Sequence, residues 1–157
     1  MTVAVAGHWE LSWNTPIKEA ELWNLPLRDF GIENWFMWPV SGIRQGEREV
    51  TLHERQSLPD ILDENEDLAF VFLEPVSERL GVNPAPLQDF EHPEDVLYVF
   101  GSAHFNPVAA GLTRPGDAVV ALPTLHNKGV LWPHQVLVAV LYDRMVKESG
   151  KVEPWRS

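Results

Sequence analysis

Glycine and proline close several apolar runs in the C-terminal half of the chain, at Phe100-Gly101-Ser102, Leu122-Pro123-Thr124 and Gly129-Val130-Leu131-Trp132. A glycine carries no Cβ, so main-chain amides and carbonyls there can come close to a ligand. The third stretch runs into a helix opened by Pro133, whose first amides lack intrahelical acceptors. Converging, the three stretches would offer N–H and C=O groups to a purine or a carboxylate; apart, they are ordinary turns. His8 ends the first apolar run and could line such a pocket as a general base, or pack as a core or surface histidine. Glu10 has the same standing.

The remaining chemistry-bearing residues point to less. The other histidines, His53, His92, His104, His126 and His134, form no helical i, i+4 pair and no metal-binding pattern. Arg44, Arg48 and Arg55 interleave with Glu47, Glu49 and Glu54, as in a solvated mixed-charge loop. Asp60, Asp63, Glu64, Glu66 and Asp67 read as a solvated acidic turn, without the ligand spacing of a calcium loop. No nucleophile elbow and no Gly-Lys-Thr phosphate loop is present. Five of the seven tryptophans, Trp9, Trp13, Trp23, Trp35 and Trp38, crowd the first quarter. Together and exposed they could stack a flat ring; buried, they are core. Trp35 reads as core, with Trp9 and Trp13 open between the two.

The elements that must position these residues are short. Apolar runs predict strands over Thr2–Ala6, Glu33–Val40, Leu68–Leu73, Val96–Phe100 and Asp117–Leu122. The unbroken run at 68–73 suits a strand covered on both faces. Asn14 or Thr15 can cap a helix opened by Pro16, which Pro26 is expected to interrupt and Gly31 to end. Ser41–Ser57 reads as a long polar loop, Leu58–Glu64 as a short helix, and 81–93, with its three prolines, as irregular. The strongest helix runs from Pro133 to about Glu148, with a broad apolar stripe that must meet the sheet or a partner. Apolar strands separated by helical or loop segments predict an open, mostly parallel α/β sheet of five to six strands with flanking helices, in one domain over 1–157. Ligands of such sheets lie beyond the carboxyl ends of the strands, here at His8, Pro39, Pro75, Gly101 and Pro123.

Length and composition agree with that reading. A chain of 157 residues, 45% hydrophobic, can bury one core. The absence of cysteine excludes disulfides, thiolate metal sites and cysteine nucleophiles, and fits a reducing compartment. With no basic leader and no run long enough for a bilayer, the expectation is a soluble, cytoplasmic protein with no membrane partner. A net charge of −11 argues against nonspecific binding to a phosphate backbone, while leaving room for a local basic patch.

Taken in order, three stretches resemble the cofactor-binding half of the SPOUT superfamily, the trefoil-knotted methyltransferases that act mainly on RNA. Val-Leu-Tyr-Val-Phe-Gly-Ser at 96–102 resembles the family strand ending in Phe-Gly-Asn or Phe-Gly-Ser. Asp-Ala-Val-Val-Ala-Leu-Pro-Thr at 117–124 resembles the strand ending in Ile-Pro-Met. Gly-Val-Leu-Trp at 129–132 stands where the family has Ser-Leu-Asn, and Val-Ala-Val-Leu-Tyr-Asp-Arg at 138–144 resembles the knot helix that follows. The resemblance implies a C-terminal trefoil knot and S-adenosylmethionine held largely by backbone groups, at Phe100, Gly101, Ser102, Leu122, Pro123, Thr124, Gly129, Leu131 and Trp132. It also implies RNA as substrate, with Asn14, Lys18 and His8 facing it, and a homodimer packed through the C-terminal helix. The sequence departs from the family at Ala20, where ribose methyltransferases carry Arg, at Ala103 in place of Glu, and at Trp132 in place of Asn. Those departures, with the acidic composition, keep two alternatives open: a non-catalytic binding protein on the same fold, and an interaction module without ligand.

Overall fold

The computed structural model describes residues 1–9, 16–42, 50–74, 83–127 and 131–149. Its strands are β1 (Val3–His8), β2 (Asn34–Trp38), β3 (Thr51–Glu54), β4 (Ala69–Glu74), β5 (Ala85–Pro86), β6 (Val96–Phe100) and β7 (Ala118–Ala121). Its helices are α1 (Pro16–Asp29), α2 (Leu58–Glu64) and α3 (Pro133–Glu148). The strands form one sheet in the order β3-β2-β1-β6-β4-β7-β5, and every adjacent pair is parallel.

Both faces of the sheet are covered, which is why its central strands read as unbroken apolar runs. Alternate residues such as Val5, Trp35, Met37, Val71, Leu73, Tyr98 and Phe100 pack with Trp23 and Leu27 of α1 and Leu137, Val140 and Leu141 of α3. Those in between, including Ala6, Phe36, Trp38, Phe72 and Val99, meet Leu58, Ile61 and Leu62 of α2. Phe105, Val108 and Leu112, from the loop after β6, complete that second layer.

Two expectations are corrected at the edges. The Ser41–Ser57 segment contains β3, and 81–93 contains β5, so the sheet has seven strands instead of five or six. Both additions are edge strands, short, mixed in polarity and only partly covered, so they lack the apolar signature of a central strand. Pro26 does not interrupt α1, which continues to Asp29. Trp23 and Leu27, both buried on either side of the proline, hold the helix to the sheet and outweigh the missing N–H. Gly31, at φ 73°, ends the segment as expected.

Connections fix where a ligand can sit. From β1 the chain steps to β2 on one side; from its neighbour β6 it steps past β4 to β7 on the other. Opposite departures of this kind are where open parallel sheets form a ligand crevice, beyond the carboxyl ends of the two strands, here at His8 and Gly101. α3 runs antiparallel to the sheet. Its C-terminal residues Leu141, Arg144, Met145 and Glu148 line a cavity of about 400 Å³ with Met1 to Val3 at the amino ends of the strands, which places Trp132 and His134 at the carboxyl edge.

Candidate active site

His8 ends β1 with its ring on the α2 side of the sheet, stacked on Phe105 (centroids 4.9 Å apart) and edge-on to Trp38 at 5.5 Å. Its Nδ1 lies 2.7 Å from Ser102 Oγ, which joins the carboxyl ends of β1 and β6 across the crevice. Ser102 is itself fixed. Its N–H donates to the Phe105 carbonyl at 2.9 Å, and its Oγ accepts from the His104 N–H at 3.3 Å. An imidazole oriented this way, on a wall of aromatic rings, can take a proton from a hydroxyl placed in the crevice.

Gly101 is glycine for a reason the sequence did not show. A Cβ there would lie 2.4 Å from the Phe105 carbonyl oxygen and 2.9 Å from Pro107 Cδ. The close approach is made by the chain's own returning loop, where the sequence suggested a ligand. Glu74 ends β4 and is 5% exposed. Burial raises the pKa of its carboxyl to about 7, against a lowering pull from Asn106 and Val108.

The other stretches lie at the same edge. Leu122 is partly buried against the α1/α3 core. Thr124 and Asn127 close a reciprocal turn: the Thr124 N–H donates to Asn127 Oδ1 at 2.9 Å and the Asn127 N–H to Thr124 Oγ1 at 3.1 Å. Leu131 and Trp132 are partly exposed at the start of α3, the indole stacked on His134 with centroids 5.6 Å apart. Gln135 Oε1 accepts the Trp132 N–H at 2.9 Å and fixes the first turn. His134 Nδ1 is buried without a hydrogen-bond partner, and burial lowers the pKa of its ring.

The structure brings His8, Gly101 and Ser102 together. Lys18 is exposed in the first turn of α1, on the opposite face of the sheet from the His8 ring. Asn14 and Gly129 lie outside the described residues, as do Glu10 and Trp13. Trp35 is core, and so is Trp9. Sequence reasoning missed Glu74, Phe105, Asn106 and His134. Glu74 alone left a signal, a charged residue directly after an apolar run. No group of His, Cys, Asp or Glu among the described residues could hold a metal ion, and no described helix is long and apolar enough to cross a membrane.

The geometry has relatives among solved structures. The chain shares the fold of the TrmH/SpoU RNA methyltransferases. A TrmH/SpoU tRNA modifying enzyme of A. aeolicus superposes with a TM-score of 0.70 over 95% of this chain and 76% of its own, at 12% identity. AviRb of Streptomyces viridochromogenes, a SpoU methyltransferase in complex with the cofactor AdoMet, superposes at 0.70 and 11% identity; the match covers 94% of this chain and 58% of AviRb. A Bacillus anthracis protein described as a candidate RNA methyltransferase gives 0.71 over 99% of both chains, at 13% identity. No family model matches the sequence, and no curated protein matches it either.

Proposed function

We propose that this chain is an S-adenosylmethionine-dependent RNA methyltransferase of the SPOUT type, its residues 1–157 acting as one domain in the cytoplasm. The observation that carries this is the strand order: a parallel sheet of TrmH/SpoU form reverses its connections at the carboxyl ends of β1 and β6, where His8 meets Ser102, and the stretches at 100–102 and 122–124, whose sequence resembles the family's cofactor loops, follow strands ending at the same edge. Gly101–Ser102, Leu122–Thr124 and Gly129–Trp132 would hold the cofactor, with the Trp132 indole at its rim, and α3 would be the helix of the knot. S-adenosylmethionine supplies an activated methyl group when bound. His8 takes the proton of the acceptor hydroxyl at its imidazole, Ser102 and Phe105 hold that ring in place, and Asn14 is assigned to the RNA side, whereas Lys18, on the other face of the sheet, is not. An acidic chain reaches RNA through few basic contacts, so binding should respond only weakly to salt.

The test is calorimetry with S-adenosylhomocysteine, followed by transfer of labelled methyl to bulk RNA. Micromolar binding that weakens at least tenfold in Trp132→Ala supports the pocket, and no heat at millimolar ligand refutes it. One observation favours a second reading, a cofactor-binding protein without transferase activity. Ala20, where the family carries Arg, is 2% exposed and packs into the α1 core, so the described packing has no room for a guanidinium there. Binding without transfer to any RNA fraction would select that reading.

The homodimer belongs to the same proposal. Val138, Tyr142, Met145 and Val146 leave an apolar strip exposed along α3, more than a solvated helix face normally presents. Tyr142→Glu should convert a dimer to a monomer in sedimentation velocity with little change in melting temperature. A monomeric wild-type chain at 100 μM would refute the dimer.

A further inference from the structure

The 87–94 segment, between β5 and β6, takes its main-chain hydrogen bonds largely from α3. Lys147 Nζ donates to the Leu87 and Phe90 carbonyls, each at 2.7 Å. Arg144 donates to the Pro93 and Glu94 carbonyls, at 2.6 and 3.2 Å. Pro84, Pro86 and Pro93 keep this stretch out of a regular ladder, so two side chains one helix turn apart supply the donors. His92 lies within the grip, its ring 3% exposed. Nδ1 is 2.6 Å from the Tyr98 hydroxyl and Nε2 is 2.7 Å from Asp143 Oδ2. The groups on either side leave a neutral ring one arrangement of protons. A carboxylate only accepts, and Asp143 also takes Lys147 Nζ at 2.7 Å, so Nε2 must carry the proton. A guanidinium only donates, and Arg144 Nη1 reaches the Tyr98 oxygen at 3.1 Å. Burial raises the Tyr98 pKa to about 12, so the phenol keeps its proton and turns it to Nδ1. The chain therefore runs one way, from Arg144 through Tyr98 and His92 to Asp143.

We infer that His92 is an acid-sensitive latch: neutral, with its proton on Nε2, it locks the 87–94 segment to the last turns of α3, and a second proton, taken up at Nδ1, opens it. That proton turns Nδ1 from acceptor to donor, against an oxygen to which Arg144 already donates. The Tyr98 hydroxyl proton loses its acceptor at the same time. The charged and titratable groups facing the ring are Tyr98 of β6 and Asp143, Arg144 and Lys147 of α3, with Glu148 paired to Arg144 at 2.9 Å. Burial lowers the His92 pKa, the hydrogen bond and charge of Asp143 oppose it, and Lys147 and Arg144 lower it further. Opening returns the ring to water and to its ordinary value of 6.5. The opened form then binds more protons below that value, so falling pH favours opening by up to about tenfold per unit, levelling off beneath the lowered pKa. The released turns carry Tyr142, Met145 and Val146, part of the exposed strip assigned above to a second copy, so the dimer weakens as the latch opens. That last step rests on the proposed dimer; the latch does not.

Amide hydrogen exchange on the full chain tests the latch. Protection of the Phe90, Met145, Val146 and Lys147 amides, corrected for intrinsic rates, should hold level from about pH 8 to 6.5 and fall below that, by up to about tenfold per unit. His92→Gln, which takes up no proton, should flatten the slope. His134→Gln, which removes the buried histidine at the far end of α3, should keep it. In sedimentation velocity the wild-type dimer should weaken about fivefold between pH 7 and 5.5, and the His92→Gln dimer should not. A wild-type exchange profile flat to about pH 5, or a slope that survives in His92→Gln, overturns the inference. Should His92→Gln not fold, the nitrogen NMR shifts of the wild-type ring decide. A protonated Nε2 with a bare Nδ1 at about pH 7.5 supports the latch; the reverse, or a doubly protonated ring, overturns it. If the slope is present in a chain that is monomeric at every pH, the latch stands and the dimer falls. A dimer that ignores pH while the slope is present overturns the link between the two.

Discussion

Replacing Arg144 by Met should lower stability by about 3–5 kcal/mol, the usual cost of breaking a buried charge network from one side, and the melting temperature by roughly 10 °C. Arg144 is 5% exposed and lies near the C-terminal end of α3. Its Nη1 donates to the Pro93 carbonyl at 2.6 Å and to the Tyr98 hydroxyl at 3.1 Å. Its Nη2 donates to the Glu94 carbonyl at 3.2 Å and pairs with Glu148 at 2.9 Å. Methionine fills most of the volume but donates nothing, so two carbonyls and a phenol lose their donor at once. Tyr98→Phe is the control. It removes one hydroxyl and should cost only about 1–2 kcal/mol. Chemical denaturation of both variants separates the two effects, and a loss under about 1 kcal/mol for Arg144→Met would show that the network is not what holds α3 to the sheet.

The same network carries a pH dependence opposite in sign to that of Glu74. His92 Nδ1 meets the Tyr98 hydroxyl at 2.6 Å and its Nε2 meets Asp143 Oδ2 at 2.7 Å. Lys147 pairs with the same carboxylate at 2.7 Å. Burial lowers the His92 pKa despite the hydrogen bond and charge of Asp143, with Lys147 and Arg144 adding to the lowering. The unfolded chain therefore binds more protons below about pH 6.5, and the stability owed to neutral His92 is lost as pH falls beneath that value. The elevated pKa of Glu74 acts the other way, removing stability as pH rises from about 4.5 to 7. Two buried groups on opposite faces of the sheet thus pull stability in opposite directions with pH.

How much of this could be read beforehand depended on how many residues carried each signal. α2, β6 and α3 lie where periodicity and prolines put them, because each is written by several residues packing on one face. β3 was not legible. Thr51-Leu-His-Glu has a single apolar residue and becomes a strand by pairing with β2 at the sheet edge, a long-range effect that local pattern does not encode. The same division holds at the site. That Gly101–Ser102 meets His8 followed from the rule that strand ends gather at one edge of a parallel sheet. The hydrogen bond between His8 and Ser102 spans 94 positions of sequence and leaves no local pattern. Arg144 entered the sequence reading only as the last residue of the 138–144 stretch, because the groups it satisfies lie some fifty residues away.

Gly101→Ala should be the most damaging change of a single methyl group at the site. At Gly7, the other crowded glycine among the described residues, an added carbon would meet the side chains of Trp23 and Met37. At position 101 the added carbon meets a backbone oxygen, that of Phe105, at 2.4 Å. The 102–107 turn must therefore move as a unit, which breaks the hydrogen bond from the Ser102 N–H to that oxygen and lifts the Phe105 ring from His8. Overpacking of this kind costs about 1–3 kcal/mol, and loss of the turn's hydrogen bond adds about 1 kcal/mol. Gly101→Val should be worse still, since its branches also reach Pro107. Two measurements separate local from global damage: thermal melting for the chain as a whole, and the ring-current shift of the His8 protons for the Phe105 stack. The expected result is a melting point lower by several degrees together with loss of that shift, in apo protein and without reference to any ligand. If the His8 shift survives, the loop after β6 is soft enough to absorb a methyl group, and the crevice is walled by something other than the Phe105 main chain.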